Sequence, residues 1–292
     1  MPNSEPVVKV AQASHAAFHN AASALVYRWW GLFERPDGTD VSTFLEDMFT
    51  DDIHIQLRNV DITGLAGVKA GLAALPDGGW RAHHIKSIKV TNLGSGDFRL
   101  DAAFIYQTRE PGLPLRSGEG TYAHTLKTGS DGKLRFSDIT ALLGNEVPMA
   151  EFKATYVENR AKAVIIQFQA VLDALTGEAE GLRELIKPDA EFNGLVAPPS
   201  GGSVDLNKWD LGFKGFDELS KWASSGPSVF CSVSHELETF SVKSLGGNRY
   251  EAVAQFKWVA ETLAGKVMEK HTPRTWILVD EGEKFMRIQT LV

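Results

Sequence analysis

Tyr122 and His124 stand two residues apart in TYAHTL, a spacing that puts both side chains on one face of a β-strand. A phenol and an imidazole on one wall form a set for general acid–base work on a small carbonyl compound. Tyr donates a hydrogen bond to a developing enolate oxygen, and His moves the proton. The same pair also reads as two satisfied polar residues of a core or pocket wall. Tyr106 and Phe104 belong to the neighbouring strand, and Tyr27 and Trp30 on the first helix can add to the same wall, with Leu57 closing it. His83 and His84 open a strand and can point to either side. Later in the chain Phe192, Phe256, Trp258 and Trp276 supply aromatic bulk around Arg274, the only strong charge expected on that wall. Arg274 either binds a ligand carboxylate or enolate, or reaches solvent and pairs with an acid such as Glu269.

Other chemistry-bearing patterns are missing. There is no GxxxxGK[ST] stretch, no strand-anchored GxGxxG and no GxSxG elbow. The pair His83–His84 has neither an HExxH helix nor a Cys partner, so no metal site is expected, and no cofactor. His54, Gln56 and Arg58 alternate with Ile53, Ile55 and Leu57, which turns them to the outer side of a sheet. A slip of one residue would bring His54 inward.

The elements that must position these residues follow from periodicity. Phe18, Ala22, Leu25, Trp29 and Leu32 recur at helical steps, and Pro36, Asp37 and Gly38 stop that helix. Thr43 and Glu46 are spaced as a capping box before a short second helix. Leu65, Val68, Leu72 and Leu75 mark a third. Phe98, Leu100, Ala102, Phe104 and Tyr106 then share one face of a strand, and the turns EPGLPLRSGEG and SDGK lead into two more.

The whole order occurs twice. HIKSIKVTNLGSGDFRLDAAFIYQTR aligns with ELETFSVKSLGGNRYEAVAQFKWVAE, so Ile85 meets Leu237, Phe104 meets Phe256 and Tyr106 meets Trp258. Further on, His124 meets Trp276. Upstream, MFTDDIHIQ aligns with LIKPDAEFN, and TGLAGV with KGFDEL, so Gly64 meets Gly215. Three collinear blocks point to a duplication. The expected domains are residues 1–148 and 149–292, divided near Pro148, the second with an inserted loop near 194–212. That loop, with Trp209, reads either as a lid or as a tolerated surface loop.

Helices followed by antiparallel strands indicate α+β halves. Each is expected to be a strongly curved, mostly antiparallel sheet wrapped on a long helix, leaving a cone-shaped hollow, with the halves forming an intramolecular pseudo-dimer. On FTDDIHIQL, TGLAGVKAGL and the strand pair 98–106 and 121–127, with IKPDAEFNG and KGFDEL in the second half, the chain resembles the nuclear transport factor 2-like superfamily, nearest to SnoaL-like polyketide cyclases and ketosteroid isomerase. The resemblance implies a cone-shaped fold, frequent dimers and roles from isomerase, cyclase or dehydratase to plain binding. The isomerase-like carboxylate position falls on Leu57 and Gly194, neither of which takes a proton. The oxyanion-donor position falls on Tyr122 and Arg274. The chain thus departs from the isomerase pattern.

Composition bounds the rest. The chain of 292 residues is 43% hydrophobic and 23% charged, as in ordinary globular proteins. A net charge of −7 with no basic stripe argues against nucleic acid and anionic membranes. No apolar run approaches the roughly 18 residues of a membrane span. The opening MPNSEPVVKV lacks a secretory pattern, and the lone Cys231 fits a reducing compartment, so a cytoplasmic protein is expected. Two functions remain open: a cofactor-free isomerase, cyclase or dehydratase working through Tyr122 and His124, or a non-catalytic carrier of a hydrophobic or aromatic small molecule.

Overall fold

The computed structural model describes residues 5–35, 42–57, 60–74, 79–94, 96–195 and 211–292. Most of the inserted loop, with Trp209, lies outside them. The first helical stripe forms α1 (Glu5–Phe33), followed by α2 (Ser42–Met48). Then come β1 (Phe49–Leu57), β2 (Val60–Thr63), α3 (Gly64–Ala73), β3 (Trp80–Gly94), β4 (Asp97–Arg109), β5 (Arg116–Thr128) and β6 (Leu134–Glu146). A second long helix, α4 (Tyr156–Asp173), begins the next set. It continues through β7 (Ile186–Leu195), β8 (Leu211–Lys214), α5 (Gly215–Ala223), β9 (Phe230–Gly246), β10 (Arg249–Thr262), β11 (Val267–Val279) and β12 (Arg287–Leu291).

The strands build two six-stranded sheets with orders β2-β1-β6-β5-β4-β3 and β8-β7-β12-β11-β10-β9. All pairs are antiparallel except β1 with β6 and β7 with β12. The short edge strands β2 and β8 were not legible from alternation. The register agrees between the sheets: Ile85 pairs with Phe104 and Leu237 with Phe256, and the ladder skips Lys86 in one and Glu238 in the other. Such a bulge bends its strand and raises the local twist. Gly64 and Gly215, which open α3 and α5, both have φ of 72°, a left-handed turn in which any side chain is strained. That turn is the physical content of the repeated glycine.

The expected alternation is present. Phe98, Leu100, Ala102 and Phe104 on β4, and Ala252, Ala254, Phe256 and Trp258 on β10, are buried. Gln107 breaks the pattern, being buried but satisfied: its amide donates to the carbonyl of Glu151, and its oxygen accepts from the amide of Lys153.

By contact the chain divides into a first unit, residues 25–160, and a second unit, residues 1–24 with 161–292. Helices α1 and α4 therefore each begin in one unit and end in the other.

Candidate functional site

In the second unit, α4 ends on Asp173, whose side chain is fully buried. Opposite it stands His235 on β9. The His235 Nδ1 lies 2.6 Å from Asp173 Oδ1, and the His235 backbone N–H donates to Oδ2 at 3.1 Å. A carboxylate oxygen facing Nδ1 accepts, so Nδ1 carries a hydrogen, and in the neutral form of the ring Nε2 keeps its lone pair. Asn20, from the part of α1 that belongs to this unit, donates from Nδ2 to Asp173 Oδ2 and to the His235 carbonyl, both at 2.9 Å.

His235 lines a cavity of about 120 Å³. A volume near ~150 Å³ admits one benzene ring, so the space suits a single small ring. Phe256, Trp258, Phe230 and Val233 make much of the wall. Leu175, just past α4, lines it too; with φ of 48° it is the only left-handed non-glycine among the described residues.

Polar groups interrupt this apolar lining. Arg274 donates from Nη1 to the carbonyl of Gly194 at 2.7 Å, and burial pulls its guanidinium below its ordinary pKa. A guanidinium stays cationic even so and carries five N–H donors. Gln169 Oε1 and Trp276 Nε1, both buried in the lining, have no hydrogen-bond partner among the described residues. A buried polar atom without a partner costs about 1–3 kcal/mol, so such atoms mark where a polar ligand atom gains most.

The first unit carries a matching pair. Glu34, one residue past α1, holds His83 on β3: Nδ1 lies 2.9 Å from Oε1, and the His83 backbone N–H donates to the same oxygen at 2.6 Å. Thr155 Oγ1 and Asn159 Nδ2 donate to Oε2 at 2.9 and 3.0 Å. Here the space beside the imidazole is full. Trp30 stacks on His83 at 5.6 Å, Phe104 on Tyr122 at 4.6 Å, and Tyr122 on His124 at 5.2 Å.

The residues singled out in the sequence divide between these settings. Phe256, Trp258, Arg274 and Trp276 line the cavity together, while Phe192 packs behind it, stacked on Phe168 at 6.1 Å. Tyr27, Trp30 and Phe104 are buried in the first unit. Leu57 and Tyr106 are half-buried. Tyr122 and His124 are brought together, but inside the aromatic packing. Burial pushes the Tyr122 hydroxyl up to about 12 and His124 down to about 3, and neither ring nitrogen of His124 has a partner among the described residues. His54 lies part-exposed between Asp138 and Asp61, 3.0 Å from each, and these hydrogen bonds raise its pKa.

Sequence reasoning missed Asp173 and His235. A signal existed: extending the Ile85–Leu237 alignment two residues back sets His83 on His235, and aligning the long helices on Asn20 and Asn159 sets Glu34 on Asp173. Among the described residues no group of His, Cys, Asp or Glu is placed to hold a metal ion, and no helix is long and apolar enough to cross a membrane.

No protein-family model matches the sequence, and no curated protein matches it. Solved structures similar to part of the chain include the hexachlorocyclohexane dehydrochlorinase LinA-type3 from Novosphingobium barchaimii LL02. It is 12% identical with a TM-score of 0.40, the match covering 48% of this chain and 94% of that one. ActVI-ORFA from Streptomyces coelicolor is 18% identical with a TM-score of 0.35, over 42% and 95%. A cystatin-like fold protein from Caulobacter vibrioides is 16% identical with a TM-score of 0.36, over 46% and 85%. These neighbours are of the nuclear transport factor 2-like, SnoaL-like kind, and each is matched by under half of this chain.

Proposed function

We propose that the second unit is a proton-transfer site acting on a small, mostly apolar ring compound that bears a carbonyl group, as an isomerase or dehydratase would. The observation that carries this reading is the Asp173–His235 pair, 2.6 Å apart, with the imidazole in the wall of a cavity of ring size. His235 Nε2 takes the proton from the carbon next to the carbonyl. The C–H electrons move into the new C=C bond and the carbonyl π electrons onto oxygen, giving an enolate. Asp173 holds the imidazolium that forms, as a carboxylate behind a catalytic histidine does. Arg274 and the Trp276 N–H supply positive ends of dipoles or charge for the enolate oxygen. In a β,γ-unsaturated carbonyl compound the dienolate takes the proton back at its γ-carbon, which shifts the double bond and isomerises the substrate. With a β-hydroxyl instead, the His235 imidazolium returns its proton to that oxygen and water leaves, which completes a dehydration. The acid–base role thus goes to His235 rather than to Tyr122 and His124, and this chemistry needs only side chains.

The test uses cyclohexanone as probe in D2O, following α-deuteration by NMR. The wild-type protein is expected to accelerate exchange above buffer. His235→Gln should lose that acceleration while still binding cyclohexanone. A wild-type protein that binds the probe without accelerating exchange returns the site to a carrier role, and a His235→Gln variant as active as the wild type removes His235 as the base.

A further inference from the structure

The clamp on the Asp173 carboxylate comes from far away in the sequence, and the same device occurs in both units. Asn20 uses both hydrogens of its amide: one goes to Asp173 Oδ2 and the other to the His235 carbonyl, each at 2.9 Å. Both partners are acceptors only, so the amide orientation is fixed by chemistry. Asn20 is 8% exposed, and Asp173 is fully buried, so water does not readily replace the bond. In the first unit Asn159 occupies the corresponding place on α4 and donates to Glu34 Oε2 at 3.0 Å. Each long helix therefore gives an asparagine to the carboxylate at the end of the other long helix.

We propose that Asn20 is a positioning residue for the second unit's site. It fixes the plane of the Asp173 carboxylate so that Oδ1 faces His235 Nδ1, and it ties the strand backbone at His235 to the same carboxylate. The consequence is a single neutral tautomer of His235, hydrogen on Nδ1 and lone pair on Nε2. Without Asn20 the carboxylate turns, the constraint on the ring is lost and both tautomers form. A wrong tautomer behind an intact geometry is costly in carboxylate–histidine sites generally. The inference rests on the proton-transfer reading for its catalytic meaning, but its structural content is separate.

The experiment reads the His235 ring nitrogens by long-range 1H–15N NMR in the full-length protein. The wild type is expected to show the Nδ1–H tautomer, while Asn20→Ala and the volume-matched Asn20→Leu show a mixture of tautomers. The control Asn159→Ala should leave the His235 signature unchanged and disturb that of His83, a distinction that general destabilisation would not produce. In the cyclohexanone assay the Asn20 variants are expected to lose about 100-fold in exchange rate, as for a misplaced catalytic group, with little change in probe affinity. Retention of the single tautomer in Asn20→Ala or Asn20→Leu overturns the proposal whatever the exchange assay shows. Lack of exchange in the wild type overturns the proton-transfer reading but leaves the tautomer result to decide the role of Asn20.

Discussion

Both units hold an imidazole against a buried carboxylate, yet His235 stands in a cavity wall while His83 is packed against Trp30, Phe33 and Phe104. The Glu34 oxygens accept four hydrogen bonds, and Trp30, Phe104 and Tyr122 fill the space where a ligand would lie. In the second unit the matching helix position is Gln169, and the strand position matching Tyr122 is Arg274. Where the first unit has two aromatic rings the second has one amide and one guanidinium, which bring hydrogen-bonding groups to the cavity. A third difference acts on the backbone. A Cβ at Gly120 would collide with the ring of Phe104, whereas the matching residue Thr272 carries a side chain and lines the cavity. A histidine–carboxylate pair is common to both units, and the side-chain volume opposite it decides whether the imidazole borders open space.

Disabling each pair in turn should separate the two units most strongly. Asp173→Asn should lower cyclohexanone exchange by about 10²–10⁴-fold, the range for a general base deprived of its support. Glu34→Ala should leave exchange in the second unit unchanged but destabilise the fold by about 3–5 kcal/mol, as when one partner of a buried pair is removed. Equal kinetic losses in both variants would mean that the two pairs are not separable in the way proposed.

Next comes the filling residue itself. Trp30→Ala should cost about 3–5 kcal/mol in a denaturation experiment, because the packed ring leaves a hole. The hole should accept a small apolar probe such as benzene, detectable by a rise in Tm with benzene concentration. Gln169→Trp should do the reverse, weakening cyclohexanone binding by about tenfold or more, which is 1.4 kcal/mol or more. Unaltered affinity in Gln169→Trp would show that Gln169 does not face the ligand. At smaller scale, Gly120→Ala should destabilise by about 1–3 kcal/mol, since the Phe104 ring must move, with no effect on probe binding.

Much of this fold was legible beforehand, and the reasons are physical. The alternation at Phe98–Phe104 and Ala252–Trp258 exposes a two-residue period that only a strand with one buried face requires. The repeated Gly64 and Gly215 carry a backbone constraint that survives divergence of their neighbours. The carboxylates escaped notice because Glu34 and Asp173 sit at helix ends, where periodicity carries no signal and an acid reads as a solvated residue. A hollow was expected in each half, and Phe256, Trp258, Arg274 and Trp276 do line one in the second unit. That the aromatic rings of the first unit close its counterpart was not legible, because this depends on the summed volume of side chains from several elements, which no single strand pattern encodes. Tyr122 and His124 share a face as their spacing implies, but spacing says nothing about what is stacked on that face.

His124 offers the finest test of the contrast, because its counterpart Trp276 lines an open cavity while it lies in a closed one. Its imidazole is held between Tyr122 and Phe136, with ring centroids 5.2 and 4.9 Å away, and its nitrogens lack partners among the described residues. Burial disfavours the charged ring and lowers its pKa from the ordinary 6.5 to about 3. Between those values the unfolded chain binds a proton that the folded chain does not, so stability falls as pH drops from 6.5 toward 3. Above 6.5 both states are neutral at this position and the dependence vanishes. His124→Phe removes both the unpartnered nitrogens and the linked proton. At pH 7 the variant should be more stable by about 1–2 kcal/mol, the cost of leaving buried polar atoms unpaired. At pH 5 the advantage should widen, because only the wild type loses stability through this ring. Urea midpoints of the two proteins across pH 4.5–7.5 measure both effects. Parallel curves would place His124 within reach of water, and with it a second open pocket in the unit described as closed.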